Sequence, residues 1–136
     1  MPFLLDTNIL SELRKGARCD SNVSHWAAKE SSQAHYISVL SLGEIRKGIE
    51  LLKKKSPEKC IPLENWFEKL NSDYANCTIP ITAEISESWG ELSSRRPLPV
   101  IDSLIAATAL EFGLTLATRN TKDFDGLGIS IVNPFQ

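Results

Sequence analysis

Short apolar runs alternate along the chain with longer stretches in which apolar residues recur every three or four positions. The runs lie at residues 1–5, 35–39, 77–79, 114–117 and 129–132. Their brevity and their content of leucine and β-branched residues predict strands, and the periodic stretches between them predict amphipathic helices. Because strands and helices alternate, the pattern indicates an α/β fold in which helices cover both faces of a parallel sheet.

Two helical stretches and one loop lie next to the polar residues of greatest chemical interest. Residues 42–52 carry apolar side chains on one face, which predicts an amphipathic helix ending in the three lysines at 53–55. Residues 100–110 are apolar on every side and carry one charge, Asp102, so this helix is expected in the middle of the domain, closed by Gly113. The polar stretch 118–126 predicts a loop. Thr7 or Asn8 is the expected cap of the first helix.

Composition indicates one domain without a strongly charged surface. The chain has 136 residues, of which 42% are hydrophobic, so a single compact domain spanning residues 1–136 can bury a core. The formal net charge of -2 gives no overall argument for nucleic-acid binding. It does not exclude such binding, because acids clustered in one site can mask basic residues on its rim.

The cysteines and the N-terminus indicate a protein of the cytoplasm. Cys19, Cys60 and Cys77 are odd in number and widely spaced, which suits a reducing compartment. Two histidines and no paired cysteines leave no ligand set for zinc. An acid at position 6 interrupts the first apolar run, so we expect no signal peptide, and no run approaches the roughly 20 residues that cross a bilayer.

Four carboxylates recur where predicted strands end or helices begin. Asp6 ends the first strand, Glu44 begins the helix after the second, Asp102 opens the apolar helix, and Asp123 follows the fourth strand. In an α/β fold these places meet at the carboxyl edge of the sheet. Taken singly, each acid can also be a helix cap, a first-turn acid or a loop brace.

Taken together, the four acids predict a site for a cation. At about 5 Å and an effective dielectric near 20, each pair of carboxylates repels by roughly 3 kcal/mol. Three such pairs would rival the whole stability of a domain, about 5–15 kcal/mol. The acids must therefore take up protons or hold cations, and oxygen donors without histidine or thiolate favour Mg²⁺ or Mn²⁺.

Four motifs resemble a known family and occur in that family's order. They are LLDTN at residues 4–8, SVLSLGE at 38–44, IDSLIAATA at 101–109 and ATRNTKDF at 117–124. With them the chain resembles PIN-domain ribonucleases, the toxins of VapBC and FitAB toxin-antitoxin pairs. The resemblance implies a three-layer α/β/α sandwich with a central, mainly parallel sheet, and a metal-dependent endoribonuclease. It also implies a homodimer and a cognate antitoxin protein that silences the toxin.

The resemblance assigns the site residue by residue. The acids that match are Asp6 and Asp102 as principal metal ligands, Glu44 as the third acid, and Asp123 as the fourth. Many relatives carry an acid where Asn120 stands here, whereas the Asp-Phe pair of FitB-like members matches Asp123. We therefore expect Asp123 to complete the catalytic and metal-binding set, with Asn120 and Thr118 as polar support. Thr7 and Asn8 are expected to orient Asp6 or a water.

The expected reaction is hydrolysis of RNA phosphodiester bonds by metal-activated water. Cations that could bind the RNA backbone are Arg14, Arg95, Arg96, Arg119 and Lys122. One rival is an aspartyl-phosphate phosphatase, although such enzymes need a second aspartate where this chain has Asn8. The other is a catalytically inactive PIN-like module that binds or dimerises, for which Trp66, Phe67 and Trp89 are candidate interface aromatics.

Overall fold

A five-stranded sheet, all parallel, forms the centre of the molecule in the computed structural model, which describes residues 1–136. The strands are β1 (Phe3–Leu5), β2 (His35–Ser38), β3 (Thr78–Ile79), β4 (Thr115–Ala117) and β5 (Ile131–Val132). Their order across the sheet is β3-β2-β1-β4-β5. The predicted parallel α/β sheet is confirmed.

Seven α-helices cover the sheet. They are α1 (Thr7–Leu13), α2 (Ser21–Lys29), α3 (Val39–Lys53), α4 (Cys60–Asp73), α5 (Ala83–Arg95), α6 (Val100–Phe112) and α7 (Thr121–Phe124). Two 3-10 turns, Gly16–Arg18 and Pro57–Lys59, connect neighbouring helices. None of the helices has both the length and the apolar character that crossing a membrane would require.

The central strand divides its side chains between two cores. Leu4 packs in the cluster under α5 and α6, whereas Phe3 and Leu5 pack in the cluster under α1, α3 and α4. Successive side chains of a strand point to opposite faces, so both faces of β1 are buried. This is the three-layer α/β/α sandwich that the sequence predicted.

The structure corrects three local predictions. The stretch 118–126 is not all loop, because it contains the single turn of α7. Asp6 caps α1 in place of Thr7 or Asn8: its backbone is extended and its carboxylate accepts the N–H of Thr7. The α6 helix is not buried all round, since Val100 is 59% and Phe112 is 50% exposed at its two ends.

The middle of α6 does lie in the core, and a hydrogen bond within the helix satisfies its buried hydroxyl group. Thr108 is fully buried and donates from its hydroxyl to the carbonyl of Leu104, at 2.8 Å. The helix ends at Gly113, whose φ of 62° is the left-handed conformation that glycine adopts without strain. Because α6 leads through Gly113 into the start of β4, its opposite end, with Asp102 in the first turn, lies towards the carboxyl ends of the strands.

Candidate active site

Sheet pairing brings the ends of β1 and β4 together. Leu5 is in register with Ala117, and the N–H of Asp6 donates to the carbonyl of Ala117 at 2.9 Å. The residues that come next, Asp6 and Thr118, are therefore neighbours although 112 positions separate them. Because both strands are parallel, this contact lies at the carboxyl edge, where α/β proteins place their ligands.

Asp6 is a buried carboxylate held by three donors. It is 5% exposed and accepts from the Thr7 N–H at 2.8 Å, from the Thr118 hydroxyl at 2.8 Å and from the Asn8 amide at 3.4 Å. Burial raises the pKa of Asp6, and the charge of Glu44 adds to that effect. The hydrogen bonds from Thr118 and Thr7 oppose it. The polar neighbours expected from the sequence thus orient this acid.

Thr7 links Asp6 to the second acid, Glu44. Its backbone N–H binds Asp6, while its hydroxyl donates to Glu44 Oε1 at 2.6 Å and lies 3.0 Å from Ser41 Oγ. Glu44 reaches this position because α3 begins at Val39, capped by Ser38 at the end of β2, and Glu44 then falls in the second turn. One threonine therefore sets the relation between acids from β1 and α3.

Asp102 is the acid whose pKa is affected by all three of the other carboxylates. Burial raises the pKa of Asp102, and the carboxylates of Asp6, Asp123 and Glu44 raise it further. Its own side chain accepts no hydrogen bond, in contrast to Asp6. The next residue, Ser103, is anchored instead: its hydroxyl accepts from the Trp89 indole N–H at 2.9 Å and lies 3.0 Å from the Pro99 carbonyl. The helix position is thus fixed while the Asp102 carboxylate stays free.

The fourth acid, Asp123, lies in α7 with an exposed side chain. The charge of Asp123 helps to raise the pKa of Asp102. Asn120, which is neutral, precedes α7, and its backbone N–H donates to Thr118 Oγ1 at 3.1 Å. The Asn120 side chain makes no cap hydrogen bond to α7. The charge of Asp123 thus acts on Asp102, and Asn120 is linked to Asp6 through the Thr118 hydroxyl.

All four acids share this edge, but they do not form a ready-made metal cluster. No group of three or more His, Cys, Asp or Glu side chains is close enough to hold an ion as the side chains stand. Seven ion pairs occur in the molecule and none includes any of the four carboxylates. Hard oxygen donors whose negative charge no lysine or arginine offsets fit Mg²⁺ or Mn²⁺. The donor set suits such an ion after side-chain movement.

The five cations proposed as RNA contacts differ in how they are held. Three are engaged within the fold: Arg14 over the Trp66 ring, Arg95 with Glu91, and Arg96 with carbonyls of Asp123 and Asp125. Arg119 forms no ion pair and lies over the Phe135 ring, 4.4 Å from its centroid. The backbone N–H of Arg119 donates to Asn8 Oδ1 at 3.2 Å, which holds the backbone of this residue next to the acidic site. Lys122 is exposed one residue from Asp123.

Two supporting contacts could not be predicted. Ser41 faces Thr7, and the indole of Trp89, a candidate interface aromatic in the sequence, binds Ser103. Helical spacing put Trp89 on the apolar face of α5, which was the only signal for an inward position. No sequence pattern indicated that its indole would reach the residue beside Asp102.

The protein has a parallel sheet with acidic side chains at its carboxyl edge, and none of these acids pairs with a cation. It is therefore an α/β/α protein with an acidic site. This chain belongs to the PIN domain family, which matches it over residues 3–128. It is similar to the VapC ribonuclease Y4jK of Sinorhizobium fredii, with 30% identity over 98% of this chain and 98% of that protein.

Solved structures agree with the family assignment. FitAcB from Neisseria gonorrhoeae superposes with a TM-score of 0.85 at 26% identity, covering 98% of this chain and 99% of the other. A toxin-antitoxin complex from Klebsiella pneumoniae gives a TM-score of 0.69 at 28% identity, with 98% of both chains covered. These similarities confirm the resemblance to PIN-domain toxins of the VapC and FitB type and support a nuclease.

Proposed function

We propose that this protein is a divalent-metal-dependent endoribonuclease and the toxin of a type II toxin-antitoxin pair. One observation carries the proposal: four carboxylates from separate elements share one sheet edge, and no cation of the protein pairs with any of them. Membership of the PIN domain family and similarity to a VapC ribonuclease make RNA the substrate that best suits such an edge.

The proposed ligands differ in how firmly the chain holds them. Asp6 and Glu44 supply fixed oxygens, because Thr118 and Thr7 hold the first and the Thr7 hydroxyl holds the second. Asp102 and Asp123 accept no side-chain hydrogen bonds, so they can turn towards an ion without losing a contact. Two fixed and two adjustable acids can close around Mg²⁺ or Mn²⁺ although the set is not preformed.

Hydrolysis adds water across one phosphodiester bond of the RNA. The water loses a proton as its oxygen bonds to phosphorus, and the leaving oxygen takes up a proton as its bond to phosphorus breaks. When bound, a divalent ion lowers the pKa of the attacking water and offsets the negative charge that develops on the phosphate oxygens. The residues of the chain hold the ligand oxygens in place and present Arg119 to the RNA backbone.

Arg119 is expected to contribute to RNA binding more than to the chemical step. Its guanidinium stacks on the Phe135 ring and forms no ion pair, although its charge helps to lower the pKa of Glu12. Arg119→Ala should raise KM about tenfold, equivalent to about 1.4 kcal/mol, with kcat nearly unchanged. It should also reduce the slope of log affinity against log salt by about 0.7. Steady-state kinetics at several salt concentrations measure both effects.

Arg95→Ala is the matched control, because Arg95 already pairs with Glu91 on its own helix. It removes the same charge and the same side chain, and we expect KM and the salt slope to stay at wild-type values. Equal effects of the two variants would mean that Arg119 acts only through the general charge of the protein.

A protein partner is proposed along with the RNA. Similarity to a toxin-antitoxin complex supports a cognate antitoxin, and a homodimer is proposed with it. Trp66, Phe67 and Trp89 are each half-buried in their own subunit. Exposed apolar residues of α3 and α6, namely Leu51, Val100, Leu110 and Phe112, therefore support contact surfaces better. Because the proposed substrate is RNA, we propose a cytoplasmic location for the activity.

The test is an RNA-cleavage assay with the purified chain free of any partner. Cleavage that requires Mg²⁺ or Mn²⁺ and stops in EDTA supports the nuclease. A covalent phospho-aspartate with a phosphate-ester substrate would favour the phosphatase, and absence of both activities, with folding verified, would favour the binding module. Metal-independent cleavage would contradict the role given to the four acids.

A further inference from the structure

The link between α5 and α6 contains an arginine that is bound to a distant part of the chain. Arg96 comes directly after the last residue of α5 in an extended conformation, with φ of -160° and ψ of 149°, and Pro97 prevents the helix from continuing. Its guanidinium makes no ion pair. It donates instead to the backbone carbonyl of Asp123 and, at 2.8 Å, to that of Asp125.

The segment that Arg96 binds needs anchoring. The α7 helix has four residues, too few to be stable alone, and its N-cap residue Asn120 makes no side-chain cap hydrogen bond. After it, Gly126 and Gly128 have φ of 78° and 79°, in the left-handed region, so the chain turns away at once. Phe124, 1% exposed, anchors the inward side of the turn. Arg96 secures its carbonyl end.

Asp123 belongs to this same turn, and its carboxylate makes no hydrogen bond or ion pair of its own. Because no side-chain contact holds the carboxylate, the backbone of α7 sets how near to Asp102 it can come. Arg96 lies six positions before Asp102 along the chain, at the entry to α6, so it joins the segments that carry the two acids. We infer that Arg96 is a positioning residue that holds Asp123 beside Asp102 by binding the carbonyls of α7. The inference deepens the proposed function and rests on it.

An arginine suits this task better than a lysine. The planar guanidinium has several donors in fixed directions and here reaches two carbonyls at once, from Nη1 and Nη2. A lysine ammonium at the same position keeps the charge but lacks the fork that spans both oxygens. If the geometry of the donors contributes as well as the charge, Arg96→Lys should hold Asp123 less well than wild type does. A neutral variant should hold it less well still.

The experiment measures binding of Mn²⁺ to the full chain by calorimetry, without RNA. Removing residues that orient metal ligands commonly weakens metal affinity about 10–100-fold. We expect Arg96→Gln to weaken Mn²⁺ affinity by about tenfold or more and Arg96→Lys to weaken it less. Arg95→Gln, the neighbouring change on an arginine that pairs only within α5, should stay within about twofold.

A second background separates positioning from simple stabilisation. In Asp123→Asn protein the acid to be positioned is gone, so adding Arg96→Gln should change Mn²⁺ affinity by less than about twofold. A contact that only stabilises the fold would lower the melting temperature and leave Mn²⁺ affinity unchanged, which would overturn the inference. An equal loss of affinity in both backgrounds would overturn it as well.

The outcomes also distinguish this inference from the proposed function. Wild-type protein that binds no Mn²⁺ would overturn the metal-dependent function and the inference with it. Wild-type binding with no loss in the Arg96 variants would overturn the inference alone. If Arg96→Gln does not fold, Arg96→Lys, which keeps the charge and a donor, carries the same comparison.

Discussion

Replacing Asp102 with asparagine is expected to reduce metal-dependent RNA cleavage about a thousandfold, or about 4 kcal/mol of transition-state stabilisation. Asparagine keeps the shape of the side chain and removes its charge. The Asp102 carboxylate accepts no hydrogen bond, so the substitution deletes no contact of the folded protein. The loss should appear in kcat/KM with a short RNA substrate at saturating Mn²⁺ or Mg²⁺.

Glu111→Gln is the matched control for this measurement. Glu111 lies on the same helix with an exposed side chain, and the variant makes the same exchange of carboxylate for amide. Its kcat/KM should stay within about twofold of the wild-type value, as expected for a distant site. Full activity of Asp102→Asn would show that this acid holds no catalytic ion and would return Asp102 to the role of a first-turn helix acid.

Asp102 is a better test position than Asp6 because the structure gives Asp6 two roles. Asp6 caps α1 and accepts from Thr118, so its removal leaves the hydrogen of a buried hydroxyl without its acceptor and the helix N-terminus without its cap. Loss of an N-cap commonly costs about 1 kcal/mol, and an unsatisfied buried group costs about 1–3 kcal/mol. An inactive Asp6→Ala protein would therefore confuse loss of a ligand with loss of stability.

The fold was predictable where hydrophobic pattern and burial agree. The apolar run at residues 1–5 predicts a strand buried on both faces, and β1 alternates between the two cores as that prediction requires. The same reasoning went too far for α6, because a helix can be apolar all round and still extend past the layer it covers. Val100 and Phe112 lie at those uncovered ends.

The polar stretch 118–126 shows a different limit. A four-residue helix has too few residues for a periodic pattern, so its composition predicted a loop. Its helical turn depends on Phe124 in the core and on Arg96 from another segment. Tertiary contacts decide such a turn, and the sequence around it does not reveal them.

The sequence indicated which acids lie towards one edge better than it indicated which contacts they make. Topology placed Asp6, Glu44, Asp102 and Asp123 at one edge, and the carboxylates of the other three do raise the pKa of Asp102. Which cations would stay free was not predictable. Arg95, Arg96 and Arg119 look alike in the sequence, yet one pairs along its helix, one binds a distant turn and one stacks on Phe135.

Asp102→Asn is also expected to be more stable than wild type without metal and less stable than wild type with metal. In EDTA, Asp102 is subject to two opposing effects. As a first-turn acid it gains about 0.3–1 kcal/mol from the helix dipole, whereas burial and three carboxylates disfavour its charge and raise its pKa. Because burial and three like charges act together on one side, we expect them to outweigh the gain from the helix dipole. The variant should therefore melt at a higher temperature than wild type in EDTA.

With metal the order should invert. An ion present at a hundredfold excess over its Kd stabilises the wild-type protein by about 2.7 kcal/mol, and the variant, which lacks a ligand, should gain much less. Thermal melts of wild type, Asp102→Asn and Glu111→Gln in EDTA and in Mn²⁺ give the comparison. An Asp102→Asn protein that is less stable in EDTA, with an intact response to Mn²⁺, would mean that helix capping is the main role of Asp102.

The dependence on pH identifies the charge as the cause. Because the folded-state pKa of Asp102 lies above its ordinary value of 3.8, the folded protein binds a proton more tightly than the unfolded chain. The penalty on wild type is complete above the folded-state pKa and disappears as the pH falls through that pKa towards 3.8. The advantage of Asp102→Asn in EDTA should therefore be largest near pH 7 and vanish near pH 4.

Comparing the two proteins at each pH removes the contribution of acids that shift the opposite way. Glu64, whose pKa Arg46 and Lys53 lower to about 2, loses its stabilising effect as the pH falls below 4.5. That loss is common to wild type and Asp102→Asn, so it cancels in the difference. A gap between the two melting temperatures that stays constant from pH 7 to pH 4 would exclude electrostatic repulsion as its origin and leave side-chain packing as the explanation.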